Sequence, residues 1–266
     1  MKIVVLVKHV PDAQFDRHLS GEHNTTDRAE SILSELDEYA LEAALQLAEA
    51  RGGEAAGNQV IALTMGPAAA VNAVKKALQI GAFSGVHLSD DALAGSDAAA
   101  TSLALAAAVR HLGAEAPVDL VLTGMASTDG ETSLVPAQLA ERLGLPQVTF
   151  AATLDVAEGR ITARRDGDAH SDTIEAPLPA VVSVTDQINE PRYPNFKGIM
   201  AAKKKKVATL SLADVGVDAA EVGHSGSLTV VESAEARPPR TAGTIITDEG
   251  DAGIQLVDFL AAQKLL

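Results

Sequence analysis

The chain has 266 residues, and the 47% that are apolar suffice to bury a core that removes roughly 70–75% of the unfolded surface at this length. Acidic residues number 36 against 21 basic ones, and the net charge of -15 repels phosphate backbones and anionic lipid; the 3% of aromatics, with no Trp, argue against serial stacking of bases or sugars. The absence of Cys excludes disulfides, thiolate metal sites and a cysteine nucleophile, and no apolar run approaches the ~20 residues that span a bilayer.

Lys2 to Val7 (KIVVLV) is a β-branched run of the kind buried on both faces of a parallel sheet. It reads as a strand rather than a signal peptide, which points to a soluble, reducing compartment, most simply the cytoplasm. Pro11 to Arg28 is polar and irregular, with His18, Gly21, His23 and Asn24. Leu36, Tyr39, Ala40, Ala43, Ala44 and Leu47 recur at helical spacing, and Gly52 and Gly53 stop that helix. Gln59 to Thr64 is the second strand, Pro67 opens a helix ending near Gly81, and Gly85 to Leu88 is a weaker third strand. Ser96 is placed to cap an Ala-rich helix running to about His111. Val118 to Thr123 is a further buried strand, and Glu131 to Leu143 a further helix. Strands alternating with helices in this way predict crossover units and a parallel sheet covered on both sides.

After residue 150 the rhythm changes. Thr153 to Val156, Arg160 to Arg164 and Asp172 to Glu175 read as short hairpin strands, and Pro179 to Val184 returns to buried-strand character. Asp186 to Lys206 is polar and irregular. Arg237-Pro238-Pro239-Arg240 predicts an extended arm, and Gly253 to Leu266 a terminal helix. A tail of so few core signals is better suited to packing on another chain than to standing alone.

Ligands of open parallel sheets bind beyond the strand carboxyl ends, where strand order reverses. That rule selects four loops: Lys8 to Asp12, Thr64 to Pro67, Thr123 to Thr132, and the loop after Val184. The third, Gly124-Met125-Ala126-Ser127-Thr128-Asp129-Gly130-Glu131-Thr132-Ser133, is the most informative. Gly124 and Gly130 allow close backbone approach to a ligand, and the amides of Thr132 and Ser133, expected in the first helical turn, suit a phosphate. The competing reading is a solvated loop with Asp129 or Thr132 as helix cap. G-x-G-x-x-G, the Walker lysine loop and G-x-S-x-G are absent, so neither the common phosphate motifs nor hydrolase chemistry is supported. His18 and His23 share a loop without a third ligand, so no metal site is predicted. Glu35, Asp37, Glu38 and Glu42 crowd one helix start, chiefly as favourable charge at its positive end. Lys203 to Lys206 is a solvated face or a surface for an acidic partner.

The segment Asn189-Glu190-Pro191-Arg192-Tyr193-Pro194-Asn195-Phe196-Lys197-Gly198-Ile199-Met200-Ala201-Ala202 with Lys203 to Lys206 resembles the signature of the electron-transfer flavoprotein beta, or small, subunit. Val7 to Asp12, Asp37 to Glu42, Thr64 to Pro67, Ala77 to Ala82 and Arg240 to Gly243 resemble the same family, so the likeness covers about residues 1–250. It implies an α/β fold, a parallel-sheet sandwich of the adenine-nucleotide-binding alpha-hydrolase (Rossmann-like) type with a C-terminal extended arm. Residues 1–205 would form the nucleotide-binding domain, with a hairpin insertion at about 150–176 and a recognition loop at 189–200; residues 206–266 would be an arm and terminal helix packing on a partner subunit.

The resemblance further implies a carrier rather than an enzyme, with no catalytic residues. It would be a heterodimer with an alpha subunit that holds most of the FAD site, and it would shuttle electrons from acyl-CoA-type or other flavoprotein dehydrogenases to a quinone oxidoreductase. AMP, or a second FAD in bifurcating members, would sit in this subunit. Carried over by position, that site uses Leu6, Ser34, Glu35, Leu36, Asp37, Met65, Gly66, and Gly124 through Ser133 with Leu134 and Val135. The family places an Asn at the Ser34 position and a polar amide at the Leu134 position; each lost hydrogen bond to a charged group is worth about 1.5–3 kcal/mol. Phe196 occupies the family's docking position, with Tyr193, Ile199 and Met200 around it, the other reading being that Phe196 folds back onto the sheet. Asp166 takes the place of an acidic residue facing the flavin domain. A stand-alone regulator of universal-stress-protein type is the reading from a different class, although its phosphate signature is missing from the Gly124 loop.

Overall fold

The computed structural model describes residues 1–21, 24–235 and 237–266, so His23 lies outside the described residues. The chain divides into two units, Met1–Glu232 and Ser233–Leu266.

In the first unit, strand β1 (Lys2–Leu6) is followed by the short strands β2 (His9–Pro11), β3 (Leu19–Ser20), β4 (Thr25–Thr26) and β5 (Ser31–Leu33). Helix α1 (Glu35–Glu49), β6 (Gln59–Met65), α2 (Val71–Ile80), β7 (Ser84–Leu88), α3 (Ala98–Leu112), β8 (Leu120–Gly124) and α4 (Val135–Leu143) then alternate. β9 (Gln147–Ala157), β10 (Arg160–Asp166) and β11 (Ser171–Pro177) form an antiparallel extension, and β12 (Ala180–Val184) returns to the parallel core. The unit closes with α5 (Phe196–Ala202), β13 (Val207–Leu210), α6 (Leu212–Val215) and α7 (Gly223–Gly226).

Nine strands make one sheet in the order β11-β10-β9-β12-β8-β1-β6-β7-β13, parallel except for the β9–β10–β11 pairs. The alternation of each buried strand divides the core. Ile3, Val5, Leu120 and Leu122 face α1 and α2, whereas Val4, Leu6, Val121 and Val181 face α3 and α4. A strand buried on both faces needs apolar residues at every position, which is why KIVVL and AVVSV carry little polar alternation.

Three expectations are corrected. Residues 206–232, assigned to the arm, belong to the first unit, because β13 pairs in parallel with β7 and Leu212 and Val222 enter the core. Asp97, not Ser96, caps α3: its carboxylate accepts the Ala100 amide at 2.9 Å, while Ser96 Oγ donates to the Leu93 carbonyl. Asp186 to Lys206 is not wholly irregular, since Asn195 Oδ1 accepts the Gly198 amide at 2.8 Å and starts α5. In the second unit, α8 (Ala252–Ala262) forms near the expected place and buries none of its residues. Among the described residues no helix is long and apolar enough to cross a membrane.

Candidate functional site

Strand order reverses at β1, with β6 and β7 on one side and β8 and β12 on the other, so the crevice at the carboxyl ends opens between β1 and β8. The sheet brings Leu6, Met65 with Gly66, and Gly124 to this end, at the tips of adjacent strands. Ser34 and Asp37 reach it from the head of α1.

Asp37 is planted in the crevice. Its Oδ2 accepts the Lys8 amide at 2.7 Å and its carboxyl group also takes the Gly124 amide, so one side chain ties the ends of β1 and β8. Gly124 is needed for that approach: a Cβ there would lie 2.8 Å from Asp37 Oδ1 and 2.8 Å from the Leu36 carbonyl oxygen. The glycine therefore admits α1, where the sequence alone suggested a ligand. Burial pushes the Asp37 acid up to about 7, against the pull of the two amides and the Lys8 charge.

Asp129 has the opposite surroundings. Its side chain, 4% exposed, lies between Lys8 Nζ at 2.8 Å and Arg28 Nη2 at 2.6 Å. It also accepts the Gly130 amide at 2.8 Å. Burial alone would raise its acid, but the two cations outweigh it and hold the carboxyl well below the usual carboxylate range. Arg28 Nη1 donates to the His9 carbonyl at 2.8 Å, and burial followed by the Arg28 charge lowers the His9 imidazole. Lys8 Nζ reaches Ser127 Oγ at 3.3 Å, and Arg17 donates to the Thr128 carbonyl at 2.6 Å. The sequence marks Lys8 only as the first residue of a selected loop, and Arg17 and Arg28 by nothing but their basic charge.

Helix α4 starts at Val135, four residues after the expected Glu131. Glu131 and Ser133 hold φ values of 51° and 54°, which a right-handed helix cannot use. The amides of Thr132 and Ser133 thus belong to the loop rather than to the first turn. Neither Asp129 nor Thr132 caps α4; exposed Leu134 holds the cap position without a side-chain bond. Met125, Ala126, Ser127 and Thr128 are half-buried, and Gly130, Glu131 and Thr132 are exposed.

The polar lining is compatible with an adenine nucleotide. Ser34 Oγ and Thr64 Oγ1 are buried at this edge with no hydrogen-bond partner among the described residues, and buried hydroxyls are normally satisfied by something. Of the four acidic residues at the head of α1, Asp37 and Glu42 are specifically engaged rather than general charge at a helix end; Glu35 is exposed. Two surface concavities lie beside other elements, one lined by α3 and α6 and one in the Pro11–Glu30 loop.

A second surface is formed by the 189–200 segment. Phe196 is 79% exposed and Tyr193 91% exposed, so Phe196 does not fold back onto the sheet. Ile199 and Met200, three and four residues on along α5, share its face and are also exposed. Arg192 and Glu42 lie 2.7 Å apart, with Glu49 as a second partner. Burial would raise the Glu42 acid, but hydrogen bonds from Arg192 and Gln46 bring it below its ordinary value. Lys205 is no solvated charge: its Nζ donates to the Leu78, Gly81 and Ala82 carbonyls at 3.3, 3.3 and 2.6 Å, closing the end of α2. Asp166 accepts from Ser171 Oγ at 2.6 Å and pairs with Arg164 at 3.1 Å, both within its own hairpin. Among the described residues no group of three or more His, Asp or Glu side chains is arranged to hold a metal.

Comparison with known proteins adds independent findings. Residues 24–215 match the model of the electron transfer flavoprotein domain. The chain is 48% identical over 266 residues to the electron transfer flavoprotein subunit beta of Mycobacterium leprae (strain TN), covering 99% of each chain. It is 46% identical over 266 residues to that of Mycobacterium tuberculosis (strain ATCC 25618 / H37Rv), again covering 99% of each. It is 34% identical over 275 residues to that of Megasphaera elsdenii, covering 100% of each.

Proposed function

The chain belongs to the electron transfer flavoprotein family as a beta subunit, an electron carrier subunit rather than an enzyme, and from that premise we propose how its surfaces divide the work. It pairs with an alpha subunit that holds FAD, keeps an AMP in the β1–β8 crevice, and docks flavoprotein dehydrogenases of the acyl-CoA type through the Phe196 face. Electrons then pass to a quinone oxidoreductase, and the setting is the cytoplasm. The flavin, when bound, takes up and releases the electrons. Family membership sets aside the stand-alone regulator.

The observation that carries the reading is the α5 face. An aromatic side chain left 79% exposed beside two further apolar groups, on a helix held to α2 by its other side, has the form of an interface hot spot. A small anchored face also lets two bodies reorient around a cofactor without freezing them. For the nucleotide, Ser34 Oγ and Thr64 Oγ1 would meet its hydroxyl or ring groups, the Leu6 and Met65 backbone its base, and the Gly124–Val135 loop its phosphate. Lys8 and Arg28 keep that loop in place through Asp129.

Co-expression with the large subunit, followed by mass spectrometry of the released small molecules, tests the reading. AMP with one FAD is the expected result. Two FAD per heterodimer with NADH-driven bleaching would replace it by the bifurcating form, and an empty crevice would end the nucleotide role. Phe196→Ala should slow reduction of the heterodimer by its dehydrogenase about tenfold or more, the usual loss for a hot-spot truncation, with flavin content intact. Unchanged transfer kinetics would reject the docking face.

A further inference from the structure

We infer that Arg192 is a positioning residue that holds the Phe196 face in its docking geometry before any partner arrives; this rests on the docking role proposed above. In the Tyr193–Met200 segment Tyr193 and Phe196 are exposed and Ile199 and Met200 only partly covered, so burial of its own apolar groups orders it weakly. Polar ties to α1 and close packing on α2 add the rest. Arg192 Nε and Nη2 reach the two Glu42 oxygens at 2.7 and 3.0 Å, and Nη1 and Nη2 reach the two Glu49 oxygens at 2.6 and 2.9 Å. The Arg192 amide adds a contact to Glu42 at 3.3 Å. Glu42 and Glu49 are two helical turns apart on one face of α1, so the guanidinium lies across that face as a strap.

The strap is anchored in the protein body. Glu42 is 4% exposed, and Gln46 Nε2 holds one of its oxygens at 2.9 Å. On either side of Arg192 the segment is tied again. Asn189 Nδ2 donates to the Tyr39 carbonyl at 3.0 Å, and Gly198 sits so near the Gln79 carbonyl that a Cβ would lie 2.6 Å from its oxygen. Arg192 is the one tie that uses a planar fork against two carboxylates, a geometry that Lys cannot reproduce. A segment ordered in advance spares the encounter the cost of ordering it, which lowers KM and leaves the later transfer step alone.

The test uses the flavin-loaded heterodimer as the varied substrate of an acyl-CoA dehydrogenase. Arg192→Ala should raise KM about tenfold at unchanged kcat, and Arg192→Lys, with a single-point contact, about threefold. Flavin content and reduction by dithionite, which needs no docking face, should match the wild type. Glu49→Ala removes the exposed half of the strap and leaves Glu42 paired; it should raise KM about twofold, and it decides the matter if Arg192→Ala does not fold. A wild-type KM for these variants beside a raised KM for Phe196→Ala would overturn the strap and leave the docking face standing. A wild-type KM for Phe196→Ala as well would remove the docking reading itself. Lower flavin content or slower dithionite reduction in Arg192→Ala would assign the residue to the whole subunit, and would also overturn the inference.

Discussion

Asp37 and Asp129 stand in one loop cluster and shift in opposite directions because one is buried against amides and the other between two cations. The consequence is a stability curve with two limbs. From about pH 4 to about 7 the folded chain keeps a proton on Asp37 that the unfolded chain has released, so stability falls as pH rises through this window, by at most about 1.4 kcal/mol per unit, and levels off above it. Asp129 has a depressed folded value, so its contribution is present above about pH 4 and is lost as the pH falls further. Asp37→Asn keeps the shape of the neutral acid and should flatten the upper limb in urea midpoints measured across the window. An identical slope in wild type and variant would place the proton on another group. Neither shift was legible in the sequence. Asp37 and Glu42 look like any acidic residues at a helix start, and Lys8, Arg28 and Asp129 meet only through tertiary folding over sequence separations of 101 to 121 residues.

Among the elements, α5 and α2 meet so closely that a single methyl decides the outcome. Alanine in place of glycine inside a helix gains about 1 kcal/mol in propensity, yet overpacking typically costs about 1–3 kcal/mol. With a Cβ 2.6 Å from the Gln79 carbonyl oxygen, the clash dominates in Gly198→Ala. Amide exchange across residues 196–202 should accelerate in that variant while β1 and β6 stay protected; unchanged exchange would show that α2 yields instead. The long elements were legible because their apolar residues recur at a clear period, as in α1, or run unbroken, as in β12. β13 was not, since four residues at a sheet edge, partly exposed, carry neither pattern. The α4 start was misplaced because the left-handed backbone at Glu131 and Ser133 has no signature in non-glycine residues, although Pro136 fits a first turn. The carboxyl-edge rule selects loops that the sheet gathers at the β1–β8 crevice, since it needs only the strand ends.

Over the whole chain, the tail is the part whose stability owes least to the core. Ile254, Leu256, Val257 and Phe259 on α8 are each more than half exposed, an arrangement suited to the alpha subunit that the family assignment implies. A chain ending at Glu232 should therefore keep the wild-type urea midpoint yet fail to co-purify with the alpha subunit. Co-purification in full yield would show that the tail is not part of that contact. The tail was legible as non-core from its Pro-rich and weakly periodic sequence, but its first residue was not, because the Val207–Leu210 strand and its follow-on turns look equally featureless.

The sheet order has one more consequence, at its two rims. β11 closes one rim with Asp172, Glu175 and Pro177 along its length, and β13 closes the other with only four residues before α6 begins. Charge and proline on one margin and brevity on the other are the devices that deter edge-to-edge stacking between copies. Both rims of the nine-stranded sheet thus resist pairing with a second copy of the chain, whatever covers α8.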